Sequence, residues 1–113
     1  MTRTFLEGLG YRVIEARDGR EAVRKSRTYK DIIHLIVTDV LMPGIRGDAA
    51  VRLIRKGRPE VLAIYISGYH QQDETRSELE NILYKPFEFP ELGRKIRTLL
   101  DANTVRQGIR KRA

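Results

Sequence analysis

Two apolar runs, "IIHLIVTD" at 32–39 and "VLAIYISG" at 61–68, constrain this chain more than anything else in it. Neither alternates apolar with polar residues, as a strand with one wet face would. Both read as strands covered on both faces, which is the pattern of a parallel sheet held between two layers of helix. By the same logic His34, inside the first run, is expected to be a packed core histidine.

Helices are available in the right places. Asp18 followed by Glu21 resembles a capping box and predicts a helix through about Tyr29. Asp48 is expected to cap a helix carrying Ala50, Val51, Leu53 and Ile54, stopped by Gly57 and Pro59. Leu92, Ile96, Leu99 and Leu100 fall on one helical stripe, and Pro90 suits the first position of that helix. "YRVIEA" at 11–16 and "ILYK" at 82–85 are shorter strand candidates, whereas "DETRSELEN" at 73–81 holds one apolar residue, Leu79, and predicts a weak helix. Strand and helix thus alternate from Tyr11 to about Asn103. That order predicts an α/β fold in three layers, a parallel sheet with helices on both faces and right-handed crossovers.

Bulk properties remove other classes. A chain of 113 residues forms one domain, and a composition 41% hydrophobic and 33% charged is that of a folded globular protein. The absence of cysteine excludes a disulfide scaffold or a thiolate zinc site and fits a reducing cytoplasm. No apolar run approaches the roughly 20 residues of a membrane span, and "MTRTFLEGLG" is too polar for a signal peptide. The net charge is +7, but Arg106, Arg110, Lys111 and Arg112 crowd the end of the chain. We therefore expect a domain over residues 1–103 and a solvated basic tail over 104–113, and neither nucleic acid nor a membrane is expected as a partner of this chain. The two histidines, His34 and His70, make no metal cluster, and His70 is expected in solvent.

In parallel α/β sheets ligands gather at the carboxyl ends of the strands. Here those ends carry Asp39, Ser67 and Lys85. Each alone has an ordinary explanation as a turn former or a solvated strand end. Together, a carboxylate, a hydroxyl and an ammonium suit phosphoryl transfer: the aspartate attacks phosphorus, and the other two hold the equatorial oxygens as charge builds. No glycine-rich phosphate cradle followed by Lys-Ser/Thr is present, which argues against nucleotide hydrolysis.

The stretches "IVTDVLMPGIRG", "AIYISGYH" and "LYKPFEFPEL" resemble the receiver domain of two-component response regulators, especially receivers at the carboxyl end of hybrid sensor kinases. The resemblance covers about Thr2 to Ala102 and implies a flavodoxin-like fold. It implies that Asp39 is the phosphoacceptor, Ser67 the switch hydroxyl and Lys85 the phosphate-sensing lysine. It also implies a cis bond before Pro86, and a Mg²⁺ ion held by Asp39 and the backbone carbonyl of Leu41. The implied partner is a histidine kinase or phosphotransfer protein, and the implied activity is phosphoacceptance rather than enzymatic turnover.

Two departures qualify that picture. Receivers open with a central strand ending in an acidic pair that binds Mg²⁺, and this chain starts inside the following helix. Glu7 and Glu15 do not match the pair, so Mg²⁺ binding is expected to be weak and phosphorylation from small donors slow. Ile82 stands where many receivers carry a switch aromatic, and Tyr84 does not match that position. With the first strand missing, residues 11–16 are expected either to pair directly with 32–39 or to be completed by a second copy in a homodimer, ahead of leaving an open gap. The alternative function is a receiver-like interaction or dimerisation module that no longer takes phosphate.

Overall fold

The structure is a computed structural model that describes residues 2–42, 44–68 and 80–107, with side chains described as far as 103. The predicted helix over 73–81 falls mostly outside these residues, as does His70. The elements in order are α1 (Thr2–Gly8), α2 (Gly19–Thr28), β1 (Leu35–Asp39), α3 (Gly47–Arg55), β2 (Leu62–Ser67), β3 (Ile82–Tyr84) and α4 (Phe89–Gln107). The strands form one parallel sheet in the order β1-β2-β3, with Leu35 opposite Leu62 and Tyr65 opposite Ile82.

Side chains alternate across that sheet with the period of two that a strand imposes. Leu35, Val37, Ile64 and Leu83 face one layer, where they meet Leu6 of α1 and Leu92 and Ile96 of α4. Ile36, Ala63, Tyr65 and Ile82 face the other, built from α2 and α3 through Val23, Ala50, Val51 and Ile54. The three-layer arrangement is the expected one. Ile82 belongs to this second layer, so its apolar side chain fills core next to Tyr65.

Local signals explain most of the boundaries. The Asp18 carboxylate accepts from the Glu21 N–H at 2.8 Å, and the Glu21 carboxylate accepts from the Arg17 N–H at 2.6 Å. This reciprocal arrangement satisfies donors that the helix itself leaves open. It also holds the Glu21 carboxyl below its usual range, the Arg17 N–H being the main cause. The end of α2 is closed by Arg58, whose guanidinium donates to the carbonyls of Ser26, Tyr29 and Asp31 at 2.6–3.1 Å. Glu91 accepts from the Glu88 N–H at 3.1 Å at the start of α4, which continues to Gln107, beyond the expected end near Asn103.

Four expectations are corrected. Asp48 does not cap α3: Arg46 occupies that position without a side-chain capping bond, and Asp48 lies in the first turn, 3.0 Å from the Arg46 guanidinium. Gly47 begins the helix because its amide donates to the Val40 carbonyl at 2.8 Å. His34 is exposed and precedes β1, which begins at Leu35. β1 itself is only half-buried, whereas β2 carries Ala63 and Ile64 at 0% exposure.

The fourth correction explains the other two strand findings. Residues 11–16 form no strand and make no backbone pairing with β1. Tyr11 and Val13 still pack beside Leu35 and Val37, and Arg12 lies 3.9 Å from Asp31. Side-chain burial is therefore met without a ladder, and β1 is left as the edge of the described sheet.

Candidate functional site

The carboxyl edge of the sheet is built by three strand ends in register. Asp39 is opposite Ile66, and Ser67 is opposite Tyr84, which Lys85 follows. The Lys85 amide donates to the Ser67 carbonyl at 2.9 Å, which fixes the lysine one residue beyond the ladder. The Lys85–Pro86 peptide bond is cis.

β1 and β3 are not neighbours, so Asp39 and Lys85 stand two strand spacings apart, about 10 Å. The lysine side chain reaches across the end of β2, bringing Nζ to 3.7 Å from Asp39 Oδ1. Both side chains are about half exposed, at 54% and 49%. At that exposure a salt bridge contributes about 0–1 kcal/mol. The pairing positions charge far more than it stabilises the fold. Ser67, on the strand that the lysine crosses, is fully buried, and its hydroxyl lies 3.4 Å from the Gly68 carbonyl. The structure thus brings Asp39 and Lys85 together and sets Ser67 beneath the sheet edge between them.

The loop after Asp39 is held tightly against that residue. Val40 is 1% exposed and anchors the strand end in the α3 layer. Thr38 Oγ1 donates to the Asp39 carbonyl at 3.0 Å and lies 3.1 Å from Met42 Sδ. Gly44 turns the chain with φ +81°, and Gly47 then returns so close that a Cβ there would overlap the Asp39 carbonyl oxygen. Only glycine fits that approach. Leu41, in contrast, is 52% exposed. Gly47 and Thr38 escaped a reading centred on strand-end polar groups. The available signal was a glycine directly before the first acid of the following helix.

Whether these residues suit Mg²⁺ can be judged from the donor set. Among the described residues no group of three or more carboxylates, histidines or cysteines lies together. Asp39 and the Leu41 carbonyl are the donors expected there, and Asp39 Oδ1 faces the Lys85 ammonium at 3.7 Å. Mg²⁺ demands octahedral oxygen coordination and is usually drawn by one or two carboxylates with phosphate. The donor set present does not make a resident metal site.

The chain matches the family model of the response regulator receiver domain over residues 1–97. It is 30% identical over 100 residues to the sensor kinase CckA of Brucella abortus, covering 85% of this chain and 11% of that protein. It is 28% identical over 102 residues to the response regulator SaeR of Staphylococcus aureus, covering 87% of this chain and 43% of that protein. The chain therefore spans less than half of either relative. Among solved structures, a response regulator receiver protein from Sinorhizobium medicae superposes with a TM-score of 0.78 at 27% identity, covering 91% of this chain and 85% of that one. A CheY-like receiver domain protein from Methanospirillum hungatei gives a TM-score of 0.79 at 24% identity, covering 95% and 86%. At that identity the second likeness speaks for the fold alone. No helix among the described residues is long and apolar enough to cross a membrane.

Proposed function

Because this chain belongs to the response regulator receiver family of two-component signalling, we propose that Asp39 accepts a phosphoryl group from a phosphohistidine of a histidine kinase or phosphotransfer protein in the cytoplasm. The Asp39 carboxylate oxygen forms the new bond to phosphorus as the N–P bond of the donor breaks, giving an acyl phosphate. Lys85 leaves the carboxylate to bind a phosphoryl oxygen, so its charge follows the negative charge that arrives. The Ser67 hydroxyl acts second, donating to the phosphoryl group once the segment after β2 adjusts. The observation that carries this reading is the 3.7 Å approach of Lys85 to Asp39 across an intervening strand, with Asp39 49% exposed to an incoming donor.

No step is assigned to a metal, since the donor set does not hold one. Transfer is therefore expected to be slow from acetyl phosphate, and intact mass after incubation with a phosphohistidine donor tests the reading. One added phosphoryl group, lost in Asp39→Asn and greatly slowed in Lys85→Ala, is the expected result. No added mass with any donor would favour the second reading, an interaction module that no longer takes phosphate. The lone carboxylate at the strand end is what speaks for that alternative.

A further inference from the structure

Folding lays two rows of exposed cations along neighbouring helices of this chain. On the α1–α4 side Arg3 lies 3.1 Å from Glu7 and 3.5 Å from Glu15, and Arg97 lies 3.0 Å from Asp101, while Arg94 and Lys95 form no ion pair among the described residues. On the α2–α3 side Arg46 lies 3.0 Å from Asp48 and Arg55 lies 2.9 Å from Glu80, but two rows of cations stay exposed. Residues Gly19, Val23 and Ser26 bury one stripe of α2, which turns Arg20, Arg24 and Arg27 outward at i, i+4 and i+7. The buried stripe of α3, at Ala50, Val51 and Ile54, likewise leaves Arg52 and Lys56 exposed one turn apart. Arg20, Arg27, Arg52 and Lys56 form no ion pair among the described residues. Arg24 shares Glu21, itself 14% exposed, with Arg17.

The two cation rows belong to one surface. α2 and α3 pack on the same sheet face. Their starts adjoin, since a Cβ on Gly19 would meet Ile45 and Ala50. Their ends are tied by Arg58, which reaches from beyond α3 to the last carbonyls of α2. Arg20 to Arg27 spans about 10 Å of helix, and packed helices lie about 8–10 Å apart.

We propose that this α2–α3 face binds duplex nucleic acid without sequence preference, its two rows of cations contacting phosphates. Four of the five outward cations are arginines, whose fork matches phosphate oxygens. The exposed positions of these helices carry no aromatic side chain on which a single strand would stack and no amide to read base edges. None of the exposed large apolar residues, Leu9, Ile14, Ile32, Leu41 and Tyr84, lies on α2 or α3, so nothing there would enter a lipid surface. The α2 row begins beside the loop that follows Asp39, where the Arg20 Nε lies 3.9 Å from a Cβ built on Gly44, and the proposal stands whether or not Asp39 takes phosphate.

The test is fluorescence anisotropy of the full chain with a labelled random-sequence DNA duplex, measured across a salt series. Five phosphate contacts give a slope of log affinity against log salt of about −4.5. Arg20→Gln/Arg24→Gln/Arg27→Gln is expected to weaken binding at low salt by about tenfold or more and to flatten the slope by about 2–3. Arg52→Gln/Lys56→Gln should act in the same direction. Arg94→Gln/Lys95→Gln and neutralisation of Arg106, Arg110, Lys111 and Arg112 should leave binding near wild type. An unchanged unfolding midpoint in the variants keeps the result interpretable, and the two α2 and α3 variants serve as independent arms. Binding that survives both, that disappears with the tail substitutions, that is equally tight for single strands, or that is seen only with phosphatidylserine vesicles would overturn the proposal.

Discussion

β1 and β2 come from runs of nearly the same composition, yet they end in different environments. β2 has a parallel neighbour on each side and carries Ala63, Ile64 and Ser67 at 0% exposure. β1 has one neighbour, and each of its first four residues stays half-buried. Parallel pairing uses alternate residues of a strand. The bonds of His34 and Val40 to β2 mark the even-numbered residues of β1 as the paired ones. The backbone groups of Leu35, Val37 and Asp39 therefore point away from the sheet. An apolar run reports what a strand buries with its side chains; it says nothing of whether its backbone has partners.

That difference is open to direct attack. The largest effect is expected in amide exchange: the Tyr65 N–H, bonded to the Asn81 carbonyl at 3.0 Å, should exchange roughly a thousandfold more slowly than those of Leu35 and Val37. Equal protection of Val37 and Tyr65 in solution would mean that something covers the β1 edge. Next come truncations. Ile64→Ala should cost about 3–4 kcal/mol and Val37→Ala about 1 kcal/mol, read by urea unfolding, because only the first opens a sealed cavity. Similar costs would erase the distinction between centre and edge.

Arg58→Met sharpens it at intermediate size. The guanidinium braces α2 against the end of α3, and losing its bonds leaves carbonyls at the α2 terminus unpartnered, at about 2 kcal/mol. A change within a few tenths would show that water serves those carbonyls as well. The smallest effect concerns pH. Burial pushes the Tyr65 phenol above its ordinary value. A raised folded value means that its contribution is complete below about pH 10, the ordinary phenol value, and is lost as pH rises through the folded value. Tyr65→Phe should remove that alkaline loss in a pH series of unfolding midpoints.

The sequence was most informative where a signal is local. The Asp18–Glu21 cap, the α4 stripe of Leu92 and Ile96, and the strand-end placement of Asp39, Ser67 and Lys85 all depend on residues near one another in the chain. Reading failed where the outcome depends on neighbours in space. "YRVIEA" has the side-chain pattern of a strand and buries Tyr11 and Val13, but no ladder reaches it. His34 sits in an apolar run whose first residues are outside the sheet, and Ile32 is 66% exposed. Gly47 was legible only as a turn residue, since its contact with the Asp39 carbonyl depends on how closely α3 returns.

Arg58 has a further consequence for motion. Its guanidinium lies beyond α3 but holds the backbone of residues 26–31, so the last turn of α2 cannot unwind without surrendering bonds made by another element. Opening of that turn is thereby coupled to the segment that follows α3. The backbone that carries Arg27 is therefore ordered in advance of any contact its side chain makes.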